Sequence, residues 1–317
     1  MSNLTLINLV FKTPKWAVRI FWSILVDFKL NPVHIPLTCC FLVVVLIMIR
    51  RRQFVQLTMG VAVIGYVLQD HILLYPVRFV QHTVEDCSRM DILPTGQGVL
   101  RTGNGSFPIL FFHGQGGTAG LFEGIFLDLA KSVGASTWIA EYRGYGCCRG
   151  WIGWEGLCED AKRVFLHVVE KTRRKVIVHG GSMGAAAAAC LLREEDTRNW
   201  MMGLILEDGW STWADAVKSN RLVPDWLPLE CLLMSQYDTL SAVKANSTLP
   251  LLILSSEDDQ KLPHKMRKEI YDASPSSEKW LVSAEGDHGA VLGAKGIKEK
   301  YVQFCHEAVR LSVPRKQ

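Results

Sequence analysis

Several features that would direct a chain toward common classes of binding protein are missing here. Charge of one sign is not in excess: 35 Lys and Arg stand against 31 Asp and Glu, a formal net charge of +4. Nothing therefore implies the basic surface that neutralises nucleic-acid phosphates, and no nucleic-acid partner is expected. There is no GxxxxGK[ST] stretch and no GxGxxG after an apolar run, which removes the two familiar phosphate-cradling loops. The nine cysteines show no metal-ligand spacing. Cys39 and Cys40 lie in an apolar segment, seven others remain, and adjacent Cys147 and Cys148 are poor partners for each other, so no pairing is read. Neither metal nor cofactor is expected. Repeats and low-complexity tracts are absent. A cleavable leader is not expected either, because the first long apolar stretch starts late and no small-residue cleavage pattern follows it.

What is present is apolar residue in quantity, 49% of the chain with a mean hydropathy of +0.14, and it is unevenly placed. Ile35 to Ile49 carries no charge and stops at Arg50-Arg51-Arg52. As a helix it spans roughly 22 Å against a hydrocarbon core of roughly 30 Å. Phe54 to Leu74 is again mostly apolar, and Trp16 to Leu30 has the mixed character of an interfacial segment. Residues 1–80 are read as a membrane anchor, with buried core helices as the alternative. The arginine triplet belongs on the cytoplasmic side. A single span then leaves the rest of the chain in the cytoplasm; a two-span hairpin puts it outside or in a lumen. The sequons Asn104-Gly105-Ser106 and Asn246-Ser247-Thr248 matter only in the second case.

From about Phe107 short apolar runs alternate with helical patterns, the signature of a parallel sheet flanked by helices on both faces. Runs at Pro108–Gly114, Ser136–Gly144, Lys175–Gly180, Gly203–Asp208, Leu249–Ser256 and Glu278–Ala284 read as strands. Phe122–Val133, Gly156–Glu170 and Ala185–Arg193 read as helices. Residues 81–317 thus form one α/β domain, and the interval of about 210–247 has room for two helices over the carboxyl edge of the sheet, a small cap.

Within this pattern "VIVHGGSMGAAAAACLL" (Val176–Leu192) sets Ser182 between Gly180 and Gly184, at the end of a strand and before a helix. GxSxG alone is a weak signal. In the order strand, turn, helix it reads as a nucleophile elbow, where a strained turn exposes the hydroxyl at the top of the sheet. A serine at neutral pH needs a base, itself oriented by an acid. "LLILSSEDDQKLP" offers Asp258 and Asp259 after one strand, and "LVSAEGDHG" offers His288 after the next. We assign His288 as the base and Asp259 as its acid. Asp258, one position away, Asp208 after an earlier strand, and Asp287 beside the histidine compete for the acid's role. His288 as a plain turn histidine is the bland reading, and His113, His179 and His264 are read as structural. Backbone N–H groups of Gln115, in the "HGQGG" loop, and of Met183, next to the nucleophile, are the candidates for an oxyanion site.

With these residues in view, the chain resembles the α/β-hydrolase superfamily. It is similar to its N-terminally membrane-anchored α/β-hydrolase domain-containing members in "FFHGQGG", "EYRGYG", "GGSMG", "DDQKLP" and "GDHG", over roughly Leu110–Val309. In that pattern the acid lies four residues before a proline; Pro263 places it at Asp259 rather than Asp258. The chain departs from the family at Gln115, where Asn is usual, at Glu141, where Asp is usual, and in "YGCCRGW". The strands before Phe107 are not placed. The reading is a membrane-anchored serine hydrolase working through an acyl-enzyme without cofactor, and an anchor beside the membrane favours lipid esters or acylated-protein thioesters as its substrates. A peptidase on the same scaffold, or a non-catalytic membrane scaffold, is the alternative.

Overall fold

The computed structural model describes residues 84–150, 156–219, 229–233, 237–245 and 249–313. The chain divides into two units, Met1–Gly65 and Tyr66–Gln317, and all described residues belong to the second. The anchor read over residues 1–80 lies outside them. Among the described residues no helix is long and apolar enough to cross a membrane.

Among the described residues eight strands make one sheet. In chain order they are β1 Asp91–Ile92, β2 Gly98–Thr102, β3 Phe107–Phe112, β4 Ala135–Glu141, β5 Val176–Gly181, β6 Met201–Glu207, β7 Leu251–Ser256 and β8 Lys279–Ala284. Their spatial order is β1-β2-β4-β3-β5-β6-β7-β8. All pairs among β3 to β8 are parallel, while β2 runs antiparallel to both β1 and β4. The helices are α1 Val84–Arg89, α2 Ala119–Val133, α3 Gly156–Thr172, α4 Met183–Cys190, α5 Glu195–Arg198, α6 Trp213–Ser219, α7 Leu229–Leu232, α8 Thr239–Lys244, α9 Lys265–Ala273 and α10 Ile297–Ser312.

The strands read as unbroken apolar runs because both faces of the sheet are covered. Alternate side chains go to opposite sides, as a pleated strand requires. Leu110, Phe112, Val176, Val178, Leu204, Leu206, Leu251 and Ile253 join one core with residues of α3 and α4. Ile109, Phe111, Ile177, Ile205, Leu252 and Leu254 join the other with Phe126 and Leu129 of α2 and Phe304 and Ala308 of α10. Each such fully buried side chain contributes about 1.5–3 kcal/mol relative to exposure.

The unplaced N-terminal strands are β1 and β2, short pieces that close one edge of the sheet. Helix α2 begins three residues before the pattern at Phe122 suggests. Its N-terminus has no side-chain cap of its own; instead the Ala119 N–H donates to the carboxylate of Glu141, at 2.9 Å. A distant acid thus supplies the start signal that local sequence lacks. Among the described residues of the interval 210–247 there are three short helices, α6, α7 and α8, where the sequence suggested room for two.

Candidate active site

Strand β5 delivers the chain to Ser182, whose φ of 53° and ψ of −117° are unfavourable for any residue with a Cβ, at about 1–3 kcal/mol. Surrounding bonds hold the conformation: the Ser182 N–H donates to Glu207 O at 2.7 Å, and the Ala185 N–H to Ser182 O at 3.0 Å. The flanking glycines are there because backbone passes directly against them. A Cβ on Gly180 would lie 2.1 Å from Gly184 O, and one on Gly184 would lie 1.9 Å from Phe112 O. Ala185 to Ala189 are all buried, so α4 is enclosed all round, and small side chains let β3 and its neighbours come this close.

Loops after β7 and β8 emerge at the same sheet edge as the elbow. They bring two of the sequence candidates to Ser182. His288 Nε2 lies 2.9 Å from Ser182 Oγ, and His288 Nδ1 lies 2.8 Å from Asp259 Oδ2. A carboxylate only accepts, so Nδ1 carries the proton and Nε2 accepts from the serine hydroxyl. Hydroxyl, imidazole and carboxylate stand in series, able to move a proton off Ser182 as its oxygen attacks an electrophile. His288 is largely buried, its side chain 13% exposed, and Asp259 is fully so.

Burial is the largest influence on Asp259 and pushes its pKa up. The hydrogen bond from His288, the Leu262 N–H, and the charges of His288 and Arg267 together outweigh it and hold the carboxyl below its ordinary value. Asp259 Oδ1 accepts from the Lys261 and Leu262 N–H groups at 2.9 and 2.8 Å, which leaves Oδ2 facing the imidazole.

The competing acids have other partners. Asp258 is exposed, and its Oδ2 accepts from the Gly286 N–H at 3.0 Å, stitching the acid loop to the histidine loop. Asp287 turns its carboxylate to the His288 backbone N–H, at 2.7 Å. Asp208 accepts from the Ser256 N–H, the Ser256 hydroxyl and the Gly289 N–H, at 2.7, 2.6 and 2.8 Å. It braces both loops without touching the imidazole ring. Asp208, Asp259 and His288 present ligand atoms within 4.8 Å of one another, but each already serves the hydrogen bonds just described.

Sequence reading missed Arg267. It is completely buried on α9, with its Nη2 3.2 Å from Asp259 Oδ2 and 3.6 Å from Asp208 Oδ1. It also donates to Ser255 Oγ, Pro263 O and Ser256 O. One guanidinium thus stands between the two buried carboxylates and offsets part of their negative charge. A signal existed: a cation sits in the buried stripe of Met266 and Ile270, where a helix surface charge does not belong.

Of the two oxyanion candidates, Met183 is buried and directly follows the nucleophile, and Gln115 is exposed. The loop carrying Gln115 passes close by, since a Cβ on Gly114 would lie 3.2 Å from Ser182 Cβ. Beneath this loop Glu141 accepts from His113 Nε2 at 2.9 Å as well as from the Ala119 N–H, and so holds both ends of the loop. His113 Nδ1 meets Gly114 O at 2.8 Å. Both ring nitrogens of His113 therefore face oxygen atoms of neighbouring groups. The larger Glu fits where a Cβ on Gly146 would lie 2.4 Å from its Oε2. His179, buried beside Glu207 at 3.2 Å, and His264, 2.7 Å from Ser255 Oγ, take no part in the chain of groups around Ser182.

Comparison with known proteins shows what this chain is similar to. Residues 107–226 match the Hydrolase_4 model, described as serine aminopeptidase, S33. The Pf2001 esterase of Pyrococcus furiosus superposes with a TM-score of 0.56 at 15% identity, covering 73% of this chain and 98% of its own. The fold is that of the α/β-hydrolases. A lysophosphatidylserine lipase, ABHD12 of Danio rerio, is 28% identical to this chain over 182 residues, 54% of this chain and 48% of that protein. Protein bem46 of Schizosaccharomyces pombe is 25% identical over 179 residues, 54% and 57% of the two chains. The chain spans about half the length of the curated relatives it matches.

Proposed function

We propose that this chain is a membrane-anchored serine hydrolase of acyl esters or thioesters. The observation that carries the reading is the unbroken hydrogen-bond chain from Ser182 through His288 to Asp259. Ser182 Oγ attacks the acyl carbonyl while His288 Nε2 takes its proton, and Asp259 holds the imidazole in the required tautomer. Charge developing on the carbonyl oxygen is met by the N–H groups of Gln115 and Met183. His288 returns the proton to the leaving group, and a water activated by the same imidazole clears the acyl-enzyme. Apolar residues over 1–80 favour substrates that themselves lie in a membrane, and the lipase among its relatives supports a lipid ester such as a lysophospholipid.

A second reading rests on the family description, which names an aminopeptidase. Both readings share the acyl-enzyme, so one experiment tests the common ground. Membranes holding the full chain are treated with a fluorophosphonate probe. Wild type is expected to label and Ser182→Ala is not; a folded wild type that fails to label overturns the enzymatic reading. Hydrolysis of lysophospholipids against aminoacyl amides by wild-type enzyme not exposed to the probe then separates lipase from peptidase.

A further inference from the structure

We propose that this domain matures in an oxidising compartment and that Asn104 there carries an N-linked glycan. Two unrelated features converge on this placement, and neither depends on what Ser182 does.

The first is the pairing of four cysteines. Cys87 on α1 bonds to Cys147 in the turn after β4, and Cys158 on α3 bonds to Cys190 at the end of α4. Their Cα atoms lie 5.5 and 5.4 Å apart, within the span a disulfide bridges without moving the backbone. The partners are 60 and 32 residues apart in sequence, so the fold brings them together from separate elements. They are not ligands of a shared metal: among the described residues the one group with metal-binding geometry holds no cysteine. Structural disulfides persist in secretory and extracytoplasmic spaces and are rare in a reducing cytosol. Cys148 and Cys305 are buried, and burial pushes both thiols far above their ordinary range, which keeps them out of exchange.

The second feature is the sequon Asn104-Gly105-Ser106, which the domain leaves exposed on the loop between β2 and β3. Asn104 Oδ1 accepts one long bond, 3.3 Å, from exposed Arg101, a contact that water replaces easily. The loop enters β3 at its first residue, whereas Gly114 and Ser182 follow the last residues of β3 and β5. These strands are parallel, so the sequon lies at the sheet edge opposite the site. A large, soluble substituent there stands clear of both the site and the core.

Each disulfide forms as two thiols lose two protons and two electrons to a protein disulfide by thiol–disulfide exchange. In the glycan step the Asn104 amide nitrogen bonds to the first sugar carbon of a lipid-linked oligosaccharyl pyrophosphate, loses a proton and releases the lipid pyrophosphate. With Arg50–Arg52 cytoplasmic, the placement also selects the two-crossing reading of the N-terminal sequence.

The test uses the full chain expressed in eukaryotic cells, lysed in denaturant with N-ethylmaleimide. Mass spectrometry without reduction is expected to find Cys87 linked to Cys147 and Cys158 linked to Cys190. Peptide-N-glycosidase is expected to increase gel mobility of wild type and of Asn246→Gln, with no change for Asn104→Gln. Ser106→Ala, which breaks the sequon but keeps Asn104, repeats that loss should Asn104→Gln misfold. All nine cysteines alkylated before reduction, or no mobility change on wild type, overturns the proposal. A mobility change abolished by Asn246→Gln alone overturns the assignment to Asn104.

Discussion

Replacing Asp259 by Asn tests the site most sharply, because the neighbouring backbone dictates how the amide must sit. Asp259 Oδ1 accepts from two N–H groups, Lys261 and Leu262, at 2.9 and 2.8 Å. The amide oxygen of Asn must take that place, since an NH2 there would face two donors. Its NH2 is then turned toward His288 Nδ1, where the carboxylate oxygen now stands at 2.8 Å, and toward Arg267 at 3.2 Å. Donation to Nδ1 forces the imidazole proton onto Nε2, which can no longer accept from Ser182. In a triad the wrong tautomer lowers kcat by roughly 10⁴-fold, about 5.5 kcal/mol of barrier. Asp258→Asn keeps an oxygen for the Gly286 N–H on an exposed loop, so its effect stays within about 0.5 kcal/mol, roughly twofold. The assay is turnover of a short-chain p-nitrophenyl ester, with thermal denaturation to show that both variants fold. Asp259→Asn within tenfold of wild type, or a thousand-fold loss in Asp258→Asn, would refute the reasoning.

Other outcomes follow from the same contacts. Gly184→Ala sets a Cβ 1.9 Å from Phe112 O, a clash with backbone that is expected to cost about 3 kcal/mol or more; chemical denaturation measures it, and a wild-type midpoint would contradict the close packing. Glu141→Ala strands the buried His113 Nε2 and Ala119 N–H, at about 1–3 kcal/mol each, and loosens the loop of Gln115. Steady-state kinetics are expected to show kcat falling with KM little changed, and the reverse split would remove Glu141 from that role. Arg267→Met leaves Asp208 and Asp259 buried without their cation, a loss of about 3–5 kcal/mol of stability, read by thermal or urea unfolding; unchanged stability would mean that the guanidinium is not what supports the two acids. Acid titration gives a further check. Asp259 has a folded-state pKa below its unfolded value near 3.9, so its ionised form stabilises the fold above about pH 4, and this contribution is lost as pH falls further. Acid unfolding of wild type and Asp259→Asn is therefore expected to converge below about pH 4; a difference that widens there would show that the carboxylate is not held by its partners.

Local patterns carried much of the architecture. Strand runs from Phe107 onward were legible because both faces of the sheet are covered, which leaves six nearly unbroken apolar segments with turn residues after them. β1 and β2 were not, since two and five residues on an edge hold too little periodicity to stand out. The elbow was legible for a steric reason: the backbone contacts of Gly180 and Gly184 exclude any side chain, so glycine must be written at those positions. Chain order and the proline at 263 pointed to Asp259 and His288, but nothing local measures a distance between residues 29 or 106 positions apart.

Only the tertiary structure decided what depends on such distances. It placed Arg267 between two acids, gave Asp208 to the bracing of two loops, joined Cys87 to Cys147 and Cys158 to Cys190, and made Glu141 the cap of a helix 22 residues upstream. Composition and periodicity act along the chain and report which segments become strands and helices. Partnerships among buried charges and thiols are created when those segments are laid side by side, and the order of the sheet, not the order of the sequence, determines them.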